Sequence, residues 1–259
     1  NCGSKAARLV DGPYTQNQAT TIEQKLASYQ QKSVVKNVIS SGLYDAISFQ
    51  SSSQTMQWIQ SLQPLGLEEH GVWDPSKMYW GDEEPEENEM AIYNEVLSLG
   101  TRPSYEMEVV IPGVGSDLEP DFCPIVQGVE IAHAAGSNAA IKHYKNLLKD
   151  DPRCLDAYAH IGNVCFNDEK APKLDKAKYY YKRGAAIGLH ALQEHAGDIF
   201  LWGLIGNRPF LRCLHGLACV LMEQRQVVQA MLIFEYMLQL NPPDNQGARF
   251  MLMDLKGLN

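Results

Sequence analysis

Between Gly128 and Pro242 the chain repeats one order of residues, and that order constrains its fold more than any other feature. Gly128 and Ile131 are followed by Ala140-x3-Tyr144-x2-Leu147-x4-Pro152. Gly162 comes 34 positions after Gly128, within Tyr158-x2-Ile161-Gly162-x2-Cys165, and Ala177-x3-Tyr181 follows it. Gly216 and Cys219 open a third round, completed by Ala230-x3-Phe234-x2-Met237-x4-Pro242. Self-similarity at such a period marks a stack of helix pairs, since one pair alone cannot bury its own apolar face. The spacing predicts that the glycines and alanines lie where two helices cross too closely for a larger side chain. It places the aromatics between neighbouring pairs. Pro152 and Pro242 stop second helices, because proline cannot continue the hydrogen-bond ladder.

The period is imperfect. Gly162 to Gly216 spans 54 positions, about 20 more than one repeat. Three of the extra residues fall in the 167–173 loop, and most of the rest fall between 185 and 208. Asn245 to Leu255 reads as a terminal capping helix.

The Gly–Ala–aromatic–Pro order resembles the tetratricopeptide-repeat family. Two stretches, Trp202-Gly203-Leu204-Ile205-Gly206-Asn207-Arg208-Pro209-Phe210 through Gly216 and Leu240-Asn241-Pro242-Pro243-Asp244-Asn245 through Arg249, resemble segments of bacterial tetratricopeptide-repeat proteins of uncharacterised role. The resemblance covers residues 121–255. It implies an all-α fold, an α-solenoid of about three helix pairs plus a cap over 121–259, and a non-enzymatic scaffold that binds a protein or peptide. In the repeat frame it implies a concave groove lined by His133 from the first pair and by Asp156, Ala159, Asn163 and Asn167 from the second. Phe210, Cys213, Leu217 and Val220 line it from the third, and Gln246, Arg249 and Met253 from the cap. Asn163 takes the position from which such proteins bond ligand backbone, but Ala159 stands where a lysine of a carboxylate clamp would be. The insertion at 185–208, or the N-terminal half, is a competing occupant of that groove.

Upstream, the periodicity predicts a mostly helical region over 18–120 behind a flexible 1–17. Helices are expected from Thr20 to Ser40, from Tyr44 to Leu62 and from Glu89 to Leu99. Residues 63–89, punctuated by Pro and Gly, read as irregular, with the acidic run 82–87 as a solvated linker. Residues 101–120 read as loop with one short strand, Met107 to Ile111.

Charge and motifs narrow the function further. The chain carries 22 Lys+Arg against 31 Asp+Glu. The first 120 residues hold 7 and 17 of these, and the remainder 15 and 14, so the front half is acidic with no basic patch to offset it. Such a chain repels phosphate backbones, which argues against a nucleic-acid partner. No apolar stretch reaches the length of a membrane span. The six cysteines contain no C-x-x-C pair, and five lie in helical patterns, so free thiols and a cytoplasmic location are expected. Cys2-Gly3-Ser4 supplies the alternative of a lipoprotein anchored at Cys2. No G-x-S-x-G, P-loop, Rossmann or H-E-x-x-H motif occurs. No cofactor or metal is expected. The rival settings for a cation are His190, Glu194, His195 and Asp198, and the cluster Glu68, Glu69, His70 and Asp74, within an N-terminal ligand-binding or catalytic region that the repeats would regulate. A subunit of an obligate complex is the third reading.

Overall fold

The computed structural model describes residues 53–78, 85–113, 123–168, 171–192 and 195–257. The expectations for 1–17, for the helix from Thr20 to Ser40 and for Cys2 lie outside these. Among the described residues the chain is mainly helical, with one two-stranded sheet. The helices are α1 (Ser53–Ser61), α2 (Glu87–Ser98), α3 (Pro124–Ala135), α4 (Ser137–Asp150), α5 (Leu155–Phe166), α6 (Leu174–Leu192), α7 (Arg208–Glu223), α8 (Val227–Leu240) and α9 (Ala248–Lys256). The strands β1 (Leu67–Trp73) and β2 (Arg102–Met107) pair antiparallel.

From α3 to α9 each helix packs on the next in sequence, and α5 also packs on α7. The small residues of the repeated pattern lie where helices touch. Ala140, Ala177 and Ala230 are fully buried. A methyl at Gly128 would stand 2.2 Å from the Tyr144 ring, and one at Gly162 2.4 Å from the Tyr181 ring. Gly216 departs from the expected scheme: a methyl there would meet Tyr181, the aromatic of the preceding pair, at 2.3 Å. Tyr181 is therefore clasped by glycines of both α5 and α7. Phe234 instead lies edge-on to His215, with ring centroids 5.9 Å apart. Proline opens α3 and α7, where its missing N–H costs nothing. Pro152 and Pro242 lie in the turns after α4 and α8, as the pattern predicts.

The N-terminal region departs from the sequence reading in two places. The segment expected to be irregular holds β1, and the strand expected at 107–111 is β2, at 102–107. Neither strand shows the alternation of apolar and polar residues by which strands are recognised. β1 is exposed along most of its length, and the inward positions of β2 include Arg102 and Ser104, both buried. These strands exist because of partners far away in sequence. Ile199 makes a parallel bridge to Ser104, accepts from the Tyr105 N–H at 2.8 Å, and donates to the Pro103 carbonyl at 2.9 Å. The end of the acidic run, in turn, is helix. The Glu86 N–H donates to the Glu89 carboxylate at 3.2 Å, which is half of a capping box at the start of α2.

From Arg102 to Ile111 the chain runs along the edge where second helices hand over to first helices, in the direction opposite to the helix order. Arg102 reaches the Gln239 carbonyl at the end of α8 (2.8 Å). Glu106 and Met107 meet Gly206 and Asn207 before α7. Glu108 lies 3.9 Å from Arg153 before α5. Farther back, α2 packs on α9, where Arg249 bonds Glu89 at 3.0 Å. No described helix is long and apolar enough to cross a membrane.

Candidate functional site

The incompletely buried faces of α5 and α7 form one continuous polar surface. On α5 it comprises Asp156, His160, Asn163 and Asn167, spaced four, three and four residues apart as one helical stripe requires. On α7 the corresponding stripe is Arg208, Arg212, His215 and Cys219. Arg212 joins the two helices through a 2.8 Å bond to Asp156. Its guanidinium also lies over the Trp202 ring, with that of Arg208, at 5.5 and 5.4 Å. At the start of α5 the surface meets Val109, Val110 and Ile111, which line a small depression with Leu155, Asp156 and Pro209.

The two asparagines are oriented by internal bonds. The Tyr181 hydroxyl donates to Asn163 Oδ1 at 2.6 Å, which turns the NH₂ of that amide away from the ring. Asn167 Nδ2 donates to the Asn163 carbonyl at 3.0 Å. What faces outward is then the Asn163 NH₂, a donor, and Asn167 Oδ1, an acceptor, one helical turn apart. No described residue takes either.

Of the groove residues read from the sequence, Asp156, Asn163 and Asn167 come together on this surface. His133 is exposed near the end of α3. The assignment on α7 needs correction, since Phe210, Cys213, Leu217 and Val220 are at most 1% exposed. The cause is α6, which runs on to Leu192 and carries Gly184 and Gly188. A methyl at Gly188 would lie 2.2 Å from the Phe210 ring, and one at Gly184 2.4 Å from Cys213 Sγ. α7 is thus seated on α6 by its Phe210–Cys213 face, and its open stripe is displaced by about one residue. The spacing Gly184-x3-Gly188 is a sign of close helix approach that could have revealed this. Ala159 is likewise fully buried.

The cap residues serve inward. Arg249 bonds Glu89 and Asp244 and lies over Phe250, so it ties α2 to α9 and does not line a free groove. Gln246 is half-buried, and its Oε1 is enclosed without a bonding partner. Met253 is buried. Asp244, buried beneath this network, has its carboxyl pKa pushed upward by burial, against the pull of the Arg249 and Ala248 backbone N–H groups.

The remaining titratable groups do not gather. All five cysteines among the described residues are free. Burial raises the thiol pKa of Cys154 to about 12 and that of Cys219 to about 11, and raises Cys213 well above the ordinary range. None of these three is a thiolate at neutral pH. Burial lowers the pKa of His160 and His215. His195 pairs with Asp198 at 2.9 Å and its ring lies on Tyr105. Ser104 points to the opposite face of β2 from Tyr105, so no Ser–His–Asp relay is assembled there. His70 meets Glu106 at 3.3 Å. Among the described residues no three His, Cys, Asp or Glu side chains are grouped to hold a metal ion.

No family model matches the chain, and no curated protein sequence matches it.

Proposed function

We propose that this protein is a non-enzymatic interaction scaffold of the tetratricopeptide-repeat type. It would bind an extended segment of a protein or peptide along the open faces of α5 and α7. The observation that carries this reading is the Asn163–Asn167 pair. A single residue in extended conformation offers its N–H and its C=O to the same side. The outward NH₂ of Asn163 and the outward Oδ1 of Asn167 complement those two groups. Both amides are held in place by bonds to the fold, so little ordering entropy is lost on binding. The Asp156–Arg212 bond and the Trp202 ring beside it supply charged and apolar contacts at the other end of the face.

The repeated glycine, alanine and aromatic positions support the assignment to this class, together with the helix-on-helix succession from α3 to α9. Affinity capture with immobilised protein tests it. The double variant Asn163→Ala/Asn167→Ala is expected to lose at least about tenfold in affinity for the captured partner, the loss of two hydrogen bonds at an interface. Its thermal midpoint should fall modestly, because the buried Tyr181 hydroxyl loses its acceptor, while circular dichroism should still report a folded helical chain. Unchanged capture by the double variant would refute the amide face as the binding surface.

A further inference from the structure

The contacts that hold β2 are those of a bound peptide, and they lie away from the amide face. Asn207 is fully buried, and its side chain grips the strand backbone at both ends of its amide. Its Nδ2 donates to the Tyr105 carbonyl at 2.8 Å, and its Oδ1 accepts from the Met107 N–H at 2.9 Å. Ile199 pairs with the same strand through two further main-chain bonds, to Tyr105 and Pro103. Gly206 lets the strand approach so closely that a methyl there would stand 2.1 Å from the Met107 carbonyl oxygen. All five of these contacts are to backbone atoms of residues 103–107, and four of them are hydrogen bonds that any extended sequence without proline at 105 or 107 can make.

Met107 is buried in the hydrophobic cluster and Tyr105 packs on Phe200 and His195, whereas the side chains of Arg102 and Ser104 fit less well. Ser104 is 3% exposed, and its Oγ has no bonding partner. Arg102 is 1% exposed. Its Nη1 bonds the Gln239 carbonyl at 2.8 Å and the Gly197 carbonyl at 3.4 Å, and its guanidinium lies over the Trp73 ring at 5.3 Å, but its Nε and Nη2 are enclosed with no acceptor among the described residues. Enclosed donors without partners are costly, and natural cores rarely keep them. Here two residues of one strand face carry three such atoms, while the backbone of that strand is closely read.

We propose that Ile199, Gly206 and Asn207 form a second binding site, a receptor for an extended polypeptide segment read through its backbone, which the chain's own residues 103–107 occupy in cis. Its ligand class is an extended peptide with small or apolar residues at the positions held here by Arg102 and Ser104. Such a peptide displaces the resident strand because it buries no unpaired donors. This site does not depend on the amide face of α5 and α7.

The test uses the full chain and a labelled synthetic peptide of residues 100–111. Met107→Pro in the chain removes the N–H that Asn207 accepts and weakens the resident strand. This variant is expected to bind the peptide at least about tenfold more tightly than the parent, whose site is already filled. The same peptide carrying Ser104→Ala should bind about three- to tenfold more tightly still. Adding Gly206→Ala should abolish binding, because its methyl closes the site to any backbone, and adding Asn163→Ala should leave it unchanged.

Equal affinity in parent and Met107→Pro, or binding that survives Gly206→Ala, would overturn the proposal. So would binding that is lost with Asn163→Ala, which would place the peptide on the amide face. If Met107→Pro does not fold, hydrogen exchange of the parent decides. Excess Ser104→Ala peptide should reduce protection of the chain's own Tyr105 and Met107 amides, and unchanged protection would refute displacement.

Discussion

The helices from α3 to α9 and the segment from β1 through β2 are held by different physics. In the helical part the contacts are apolar and steric. Glycines admit rings at distances no side chain would allow, fully buried alanines line the crossings, and one hydrophobic cluster runs through the whole array. The N-terminal segment joins that cluster through Ile59, Leu65, Ile92, Tyr93, Val96 and Met107, and adds a second kind of contact. It is fastened by discrete polar bonds: Arg102 to Gln239, Met107 and Tyr105 to Asn207, Glu108 toward Arg153, Glu89 to Arg249. Burial spread over many residues resists any single polar change, whereas a fastening of a few bonds can be undone one at a time. The N-terminal segment thus depends on polar fastenings as well as on the shared core, and the two regions are expected to open at different free energies.

The sharpest way to break this contrast is to strike the helical part at its tightest point. Gly162→Val places three carbons where a single methyl already lies 2.4 Å from the Tyr181 ring. The ring cannot retreat, because Gly216 confines its other side. A loss of about 3 kcal/mol in urea unfolding is expected, with α1, α2 and the two-stranded sheet lost in the same transition. A loss under about 1 kcal/mol would mean that the helix crossing is looser than the contacts indicate.

A smaller effect is expected where the two regions join. Arg249→Met removes the bonds to Glu89 and to the buried Asp244 carboxylate. The expected cost is about 1–3 kcal/mol, since a buried acceptor loses part of its partner set. Amide exchange should rise across α2 and change little in α5–α8. Uniform loosening of the whole chain would show that the N-terminal region is not a separable unit.

The smallest effects concern pH, and two carboxyls beside the fastenings, Asp151 and Asp244, should respond with opposite sign. At one end, the hydrogen bond from Arg153 holds the Asp151 carboxyl below its ordinary value of 3.8. Its contribution is present above that value and is lost as pH falls through the depressed native value. At the other end, burial raises the Asp244 carboxyl above 3.8. The folded state then keeps a proton that the unfolded state has released, so this contribution is full below 3.8 and falls as pH rises through the elevated native value. Asp151→Asn should flatten the acid side of a stability–pH profile. Asp244→Asn should remove a decline just above it. Identical profiles for both variants would contradict the opposed shifts.

Legibility followed the same division. α4, α5, α8 and α9 were readable as helices because each has apolar residues at helical spacing, with a proline or glycine just beyond α4, α8 and α9, although the cap expected from Asn245 begins at Ala248. α7 was readable as a helix but not in its rotation. Whether Phe210 or Arg212 faces outward depends on where α6 ends and on how closely Gly184 and Gly188 let α7 approach, and the period carries neither quantity. β2 was misplaced by five residues because its inward side chains, Arg102 and Ser104, are polar. Arg249 was read as a groove residue because its role in bonding Glu89 depends on a partner 160 positions away.

The sequence alone determined a helical chain with recurrent close crossings, since spacing and residue size are local properties that each helix expresses by itself. Tertiary structure decided which helix faces stay open, where the N-terminal strand runs, and which asparagine serves the fold and which faces outward. Those outcomes depend on bonds between residues 100 or more positions apart, such as Met107 with Asn207 and Glu89 with Arg249, and no local pattern records them.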